Sequence, residues 1–232
     1  MSTRSDWGAT EVAAKKQDRS IRLIAAPVGV VVLIAVVMGS IVLGTWGVVI
    51  AAVLTGGFIA WVLDQPRRCL TRAGAVPLDK DRYPRPANVV AGLAPQIGIP
   101  PPELYVIDSG GPNALTSTRQ GGAIALTRSL LDTYSRTELE AVLAHCLVRL
   151  RTGAVQRAMT RLAFGAVGRA LVVPVGTGDD VAGAAVTRYP PALMSAIQKA
   201  EARAGWCAPL WFVPAEPAGR APAQRIAALS DL

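Results

Sequence analysis

Histidine is almost missing from this chain: His145 is the only one in 232 residues. One imidazole cannot by itself hold a catalytic zinc, which takes three protein ligands. Cysteine is scarce as well. Cys69, Cys146 and Cys207 are odd in number and show no C-x-x-C spacing, so a cytosolic chain would keep them as three free thiols. Phe, Trp and Tyr together reach only 5% and do not alternate with arginine. The net charge of +8 therefore does not point to a nucleic-acid binder. No G-x-S-x-G, P-loop or dinucleotide fingerprint is present. The last absence is local: no Asp, Glu, Lys or Arg occurs in the 41 residues from Leu23 to Leu63.

That uncharged run is what the chain has in place of the missing groups. One crossing of about 30 Å of hydrocarbon takes roughly 20 apolar residues, so 41 suit two helices and a tight turn. The turn falls within Gly39–Gly47, "GSIVLGTWG". A signal peptide fits poorly, because the run is too long and no small-residue cleavage site follows. Lys15, Lys16, Arg19 and Arg22 precede the hairpin, and Arg67, Arg68 and Arg72 follow it. The positive-inside rule then puts both termini in the cytosol of a multi-pass inner (plasma) membrane protein. These clusters also account for much of the net charge, as contacts to anionic headgroups of the lipid bilayer. Cys69 lies beside them, where a lipidated cysteine can sit, although an unmodified thiol is the expected state. The organisation expected is a tail (1–22), a two-helix transmembrane hairpin (23–64), a basic proline-rich linker (65–86) and a cytosolic domain (87–232).

Within the domain, "ANVVAGLAPQIGI" has helical spacing and stops at Pro100-Pro101-Pro102. "ELYVID" and "GAIALT" read as short strands, and "RSLLDTY" as a short helix. Ser135 and Glu138 form a capping-box pattern that opens a helix running to about Thr152, with Gly153 as its terminator. Residues 154–176 are apolar but carry Arg157, Arg161 and Arg169, so they suit a helix on the membrane surface or inside the domain. "VAGAAVTRYPPALMSAIQKAEARAG" gives two helices around a Tyr-Pro-Pro break, and "PAQRIAALSDL" is a short amphipathic segment.

In this order, "IGIPPPELYVIDSGGPNALT", "IALTRSLLDTYSRTELEAVLAH", "VTRYPPALMSAIQKA" and "PAQRIAALSDL" resemble the HtpX-like and CAAX-prenyl-protease-like membrane zinc metallopeptidases. The resemblance covers roughly residues 86–232, and the hairpin suits the same layout. It implies an α+β fold: a membrane hairpin followed by a mainly helical zincin-like domain with a small sheet. In that family an H-E-x-x-H helix gives two zinc ligands and the general base, and a later E-x-x-x-D helix gives a third ligand and an orienting aspartate. Carried over, the first ligand is His145, the base position holds Cys146 and the second ligand position holds Arg149. The third ligand position is Gly176 and the aspartate is Asp180. A guanidinium about 5 Å from a dication, at an effective dielectric of ~20, costs roughly 6–7 kcal/mol.

On this reading the positions are vestigial, no cofactor or metal is bound, and the chain is not an enzyme. Cys146 is no nucleophile partnered by His145, since neighbours on a helix point about 100° apart. For Asp180 two readings stand: a buried pair with Arg149, or a solvent-exposed helix start with Asp179. The expected function is then a pseudo-metallopeptidase serving as accessory subunit of an integral membrane complex. Size and layout look similar to a small subunit of actinobacterial Mce-type lipid importers. Gly44, Gly47, Gly56 and Gly57 (with Gly29 and Gly39) would let the hairpin pack closely on partner spans. The rival is a membrane protease of HtpX type, acting in protein quality control through an atypical site. A third reading has the family's peptide cleft, beside the edge strand "GGAIALT", accept an extended segment.

Overall fold

The computed structural model describes residues 37–38, 45–164, 178–215 and 220–232. It divides into two units, one ending at Gln65 and one beginning at Pro66.

The first unit contains most of helix α1 (Thr45–Arg72). Its stretch Trp46–Arg72 is long and apolar enough to cross a membrane. At 1.5 Å per residue, 27 residues reach about 40 Å, more than the hydrocarbon needs. Val53, Leu54, Phe58 and Ile59 are exposed along it, as side chains facing lipid would be. Among the described residues, nothing lies within 4 Å of a Cβ added at Gly56 or Gly57. Among the described residues this is one such helix where two crossings were expected. Most of the first expected crossing lies outside the described residues, with Gly29, Gly39 and Gly44; Val37 and Met38 are helical.

The second unit is built on a four-stranded sheet: β1 (Ala75–Pro77), β2 (Glu103–Ile107), β3 (Ala114–Ser117) and β4 (Ala123–Thr127). The strand order is β1-β2-β4-β3. β2 and β4 run parallel, pairing Glu103 with Ala123 and Ile107 with Thr127. The two outer pairings are antiparallel. Two expectations change here. Residues 66–78 were expected in a linker, yet they hold the end of α1 and strand β1. A backbone with three ladder partners in β2 is worth more as sheet than as a solvated tether. "GGAIALT" was expected at an edge, yet β4 is internal, and the edge near the helices is β3. That edge is partly covered by the chain itself, through an antiparallel bridge from Leu115 to Trp211 and a Phe212 N–H bond to Ala114 O (2.7 Å).

Strand alternation divides the apolar groups between two cores. Ile124 and Leu126 face the larger one, with helices α2 (Pro84–Ile97), α4 (Arg136–Arg151), α6 (Gly178–Thr187) and α7 (Pro190–Lys199). Ala123 and Ala125 face the smaller one, with Cys69, Leu70, Leu115, Met159 and Trp211. Helix α3 (Arg128–Thr133) bridges β4 and α4, and α5 (Ala154–Ala163) packs its buried face inside the domain. The last helix, α8 (Pro222–Ser230), closes the unit.

The central helix α4 starts where the sequence placed it. Glu138 N–H donates to Ser135 Oγ, and Ser135 N–H donates to Glu138 Oε2 at 2.8 Å. Gly153, left-handed at φ 70°, allows the chain to turn into α5 without a Cβ penalty.

Candidate functional site

Helix α4 is buried without interruption from Ala141 to Arg149. Its fixed start therefore decides which side chains face α6. Gly183 of α6 lets the two helices touch: an added Cβ there would lie 3.0 Å from His145 Cα and 3.3 Å from His145 Cβ. His145 thus lies against α6, and Asp180, one turn earlier on α6, reaches its ring. His145 Nδ1 is 3.0 Å from Asp180 Oδ1. The contact is close but is not an aligned hydrogen bond at Nδ1.

Asp180 makes its strong bonds elsewhere. Arg225 of α8 donates from Nε to Oδ2 at 2.9 Å and from Nη2 to Oδ1 at 2.6 Å. This is the two-pronged geometry in which guanidinium and carboxylate bind best. Arg225 also donates to Phe212 O (2.6 Å) and lies over the Phe212 ring, 5.0 Å from its centroid. Phe212 also meets His145 edge-on, ring centres 5.1 Å apart. Both earlier readings of Asp180 are corrected. It is buried rather than a solvated helix start, and its cation is Arg225 rather than Arg149.

Arg149, one turn beyond His145, is occupied by backbone. It donates to the carbonyls of Pro209 (2.8 Å), Trp211 (3.2 Å) and Leu210 (3.4 Å). Three carbonyl dipoles at the end of a 3-10 turn (Ala208–Leu210) hold the guanidinium without a direct carboxylate bond. The residue at the second-ligand position thus clamps the segment that bridges β3.

Burial sets the protonation states. It depresses His145 below the usual imidazole range. Asp180 opposes that shift, and Arg225 and Arg149 reinforce it, so the ring is neutral near pH 7. For Asp180, burial alone would raise the carboxyl, but His145 and the Arg225 bonds outweigh it and hold it well below the usual range. Cys146 is fully buried within the larger core, and burial pushes its thiol up. It is no activated nucleophile.

The resemblance implies a zinc, and the residues present do not fit one. The first position offers an imidazole already held against a carboxylate. The second offers a fixed positive charge engaged with three carbonyls. Gly176 lies outside the described residues. Among the described residues no group of three or more His, Cys, Asp or Glu could hold a metal ion.

Sequence reasoning named His145, Cys146, Arg149 and Asp180, and the structure brings His145 and Asp180 together. It missed Arg225 and Phe212. The available signal was Arg225 itself, a lone cation on the apolar side of "PAQRIAALSDL", four residues before buried Leu229.

Comparison with known proteins supplies the rest. A "Protease HtpX homolog" of Acidiphilium cryptum is 40% identical over 107 residues, 45% of this chain and 37% of that protein. One from Dictyoglomus turgidum is 43% identical over 68 residues, covering 28% and 22%. One from Listeria monocytogenes is 29% identical over 164 residues, covering 68% and 53%. The first two matches thus take in well under half of those proteins' own lengths. No solved structure matches. These relatives carry the name of proteases, and this overturns the expectation that the chain is not an enzyme. That expectation had been drawn from three substituted positions alone. With the model for "Peptidase family M48" matching residues 82–199, more than half of the chain, the protein belongs to that peptidase family.

Proposed function

We propose that this protein is a membrane-associated protease of HtpX type, acting on polypeptides at the membrane through a site that departs from the family's zinc pattern. The observation that carries the reading is the family match across residues 82–199, directly following a helix apolar enough to cross a bilayer. The His145–Asp180 contact supports it chemically. A neutral imidazole set against a carboxylate is the proton-accepting half of many hydrolytic sites. We place that pair, and no metal, at the centre of any water activation here. Cytosolic termini, argued from the basic flanks, remain part of the proposal.

The test uses the full chain in mild detergent or liposomes with an unfolded membrane protein and fluorescent casein as substrates. Expected are cleavage that survives a strong zinc chelator, a preparation with far less than one zinc per chain, and loss of cleavage in His145→Ala but not in Cys146→Ser. Absence of cleavage by the intact chain sinks the protease reading. Chelator-sensitive cleavage with about one zinc per chain sinks the metal-free site.

A second reading concerns partners, and Gly56 and Gly57 favour it, since no described residue lies within 4 Å of a Cβ added at either. Close packing of α1 against spans of an integral membrane complex is what such a surface serves.

A further inference from the structure

Two cysteines that the functional reading leaves unused meet in the second unit. Cys69 lies in the last turn of α1, and Cys207 lies just before the 3-10 turn at Ala208. Their Sγ atoms are 2.7 Å apart across 138 residues of chain. Cys69 is fully buried in the smaller core beside Leu70, whereas Cys207 is partly exposed. Arg72, three residues beyond Cys69, stacks on Trp206, the neighbour of Cys207, at 5.0 Å from the ring centroid. The cation therefore holds the two backbones in register and sits beside the thiols. The third thiol, Cys146, is in the other core and takes no part.

We propose that Cys69 and Cys207 form a thiol–disulfide couple that locks the end of α1 onto the segment leading to Phe212, with a low-molecular-weight disulfide as the oxidant. The partly exposed Cys207 is the thiol an oxidant reaches first. A hydrogen bond from Cys69 favours its thiolate, burial opposes it, and Arg72 adds to the favourable side. The Cys207 thiolate attacks one sulfur of the disulfide RSSR, forming a mixed disulfide and releasing RS⁻. Cys69 then passes its proton to the departing sulfur of the mixed disulfide as its own sulfur attacks the Cys207 sulfur, and the second RSH leaves. The net change is two protein thiols and RSSR going to one protein disulfide and two RSH.

The consequence reaches the site. Residues 209–211 are the carbonyls that Arg149 holds, and Phe212 packs on His145. A cross-link at 207 fastens that segment from its other end. Oxidation would therefore stiffen the segment packed on the His145–Asp180 pair, and reduction would release it.

The experiment takes the full chain in detergent, incubates it with oxidised glutathione, quenches with acid, and alkylates in denaturant before digestion without reductant. Trypsin leaves Cys69 in peptide 69–72 and Cys207 in peptide 204–220. The expected result is that these two peptides are joined and Cys146 is alkylated. The unfolding midpoint should exceed that of the dithiothreitol-treated protein by at least about 5 °C, because the bond closes a long loop. That difference should vanish in Cys69→Ser and in Cys207→Ser and persist in Cys146→Ser. Because wild type is compared with itself, a serine variant that folds poorly leaves the test intact. Cys69 and Cys207 recovered alkylated, each carrying glutathione, or cross-linked between chains would overturn the proposal.

Discussion

Replacing Arg225 by methionine removes one partner of the most enclosed ion pair described in the protein. Arg225 and Asp180 are 6% and 4% exposed. The arginine supplies two bonds to the carboxylate and one to Phe212 O. After Arg225→Met, Asp180 keeps only the His145 contact, and that imidazole is neutral because it is buried. An uncompensated charge in such a place typically costs about 3–5 kcal/mol. For a unit of this size, about 2–4 °C of melting temperature accompanies each kcal/mol, so the midpoint should fall by roughly 6–20 °C. Pairing the change with Asp180→Leu should restore much of the loss, since an apolar pair of similar volume carries no desolvation penalty. The assay is thermal unfolding by circular dichroism in detergent on wild type, both single variants and the double variant, read as a cycle. If Arg225→Met costs less than about 1 kcal/mol, or the two changes simply add, the pair is not the cross-link between α6 and α8 argued above.

Three further outcomes are expected. Glu138, held to about 2 by Lys199, Ser195 and Ser135 against the opposing effect of burial, has a depressed folded pKa. Its contribution is therefore complete above the ordinary carboxylate range and is lost as pH falls from about 4.5 toward 2. The midpoint of wild type should drop through that window by more than that of Glu138→Gln, and parallel curves would contradict it. Gly183→Ala drives a methyl against the backbone of His145 and should cost about 1–3 kcal/mol. Gly92→Ala, with nothing within 4 Å and a helical position, should be neutral or slightly stabilising in the same unfolding experiment. Gly56→Leu should reduce the membrane proteins that co-purify in mild detergent while the unfolding midpoint of the domain stays put, and unchanged co-purification would remove α1 as a docking surface.

The parts of the fold legible in the sequence are those fixed by neighbours along the chain. The capping box at Ser135–Glu138 set the start of α4, Gly153 follows its end with a left-handed φ, and strands β2 and β4 follow from short apolar runs between turn residues. Sheet order was not legible. "GAIALT" looks the same at an edge or in the centre, and only the return of β3 along its outer side decides which. Residues 75–77 are too short and too rich in small side chains to announce a strand. They become one because β2 offers three partners.

The site divides along the same line. His145 and Asp180 could be named because a spacing pattern marks them, and the structure joins them. Their surroundings come from the last quarter of the chain, where no local pattern says which element an arginine will reach. A cation seeks the buried carboxylate that can fork with its two nitrogens. Two arginines compete for Asp180, and distance along the sequence favours Arg149, 31 residues before it. Geometry favours Arg225, 45 residues after it, because α8 aims Nε and Nη2 along both carboxylate oxygens. Arg149 is left with charge and no carboxylate bond, and it takes the three carbonyls of residues 209–211. That choice has a mechanical result. The segment those carbonyls belong to is bridged to the sheet edge at Leu115, packed on His145 through Phe212, and in contact with α1 through Cys207. Arg149, where the resemblance implies a metal ligand, therefore anchors the segment that packs on His145, so Arg149→Met should loosen residues 209–212, raise their amide exchange and lower the unfolding midpoint by several degrees. If exchange in 209–212 is unchanged in that variant, the segment is held by Arg225 and the sheet alone.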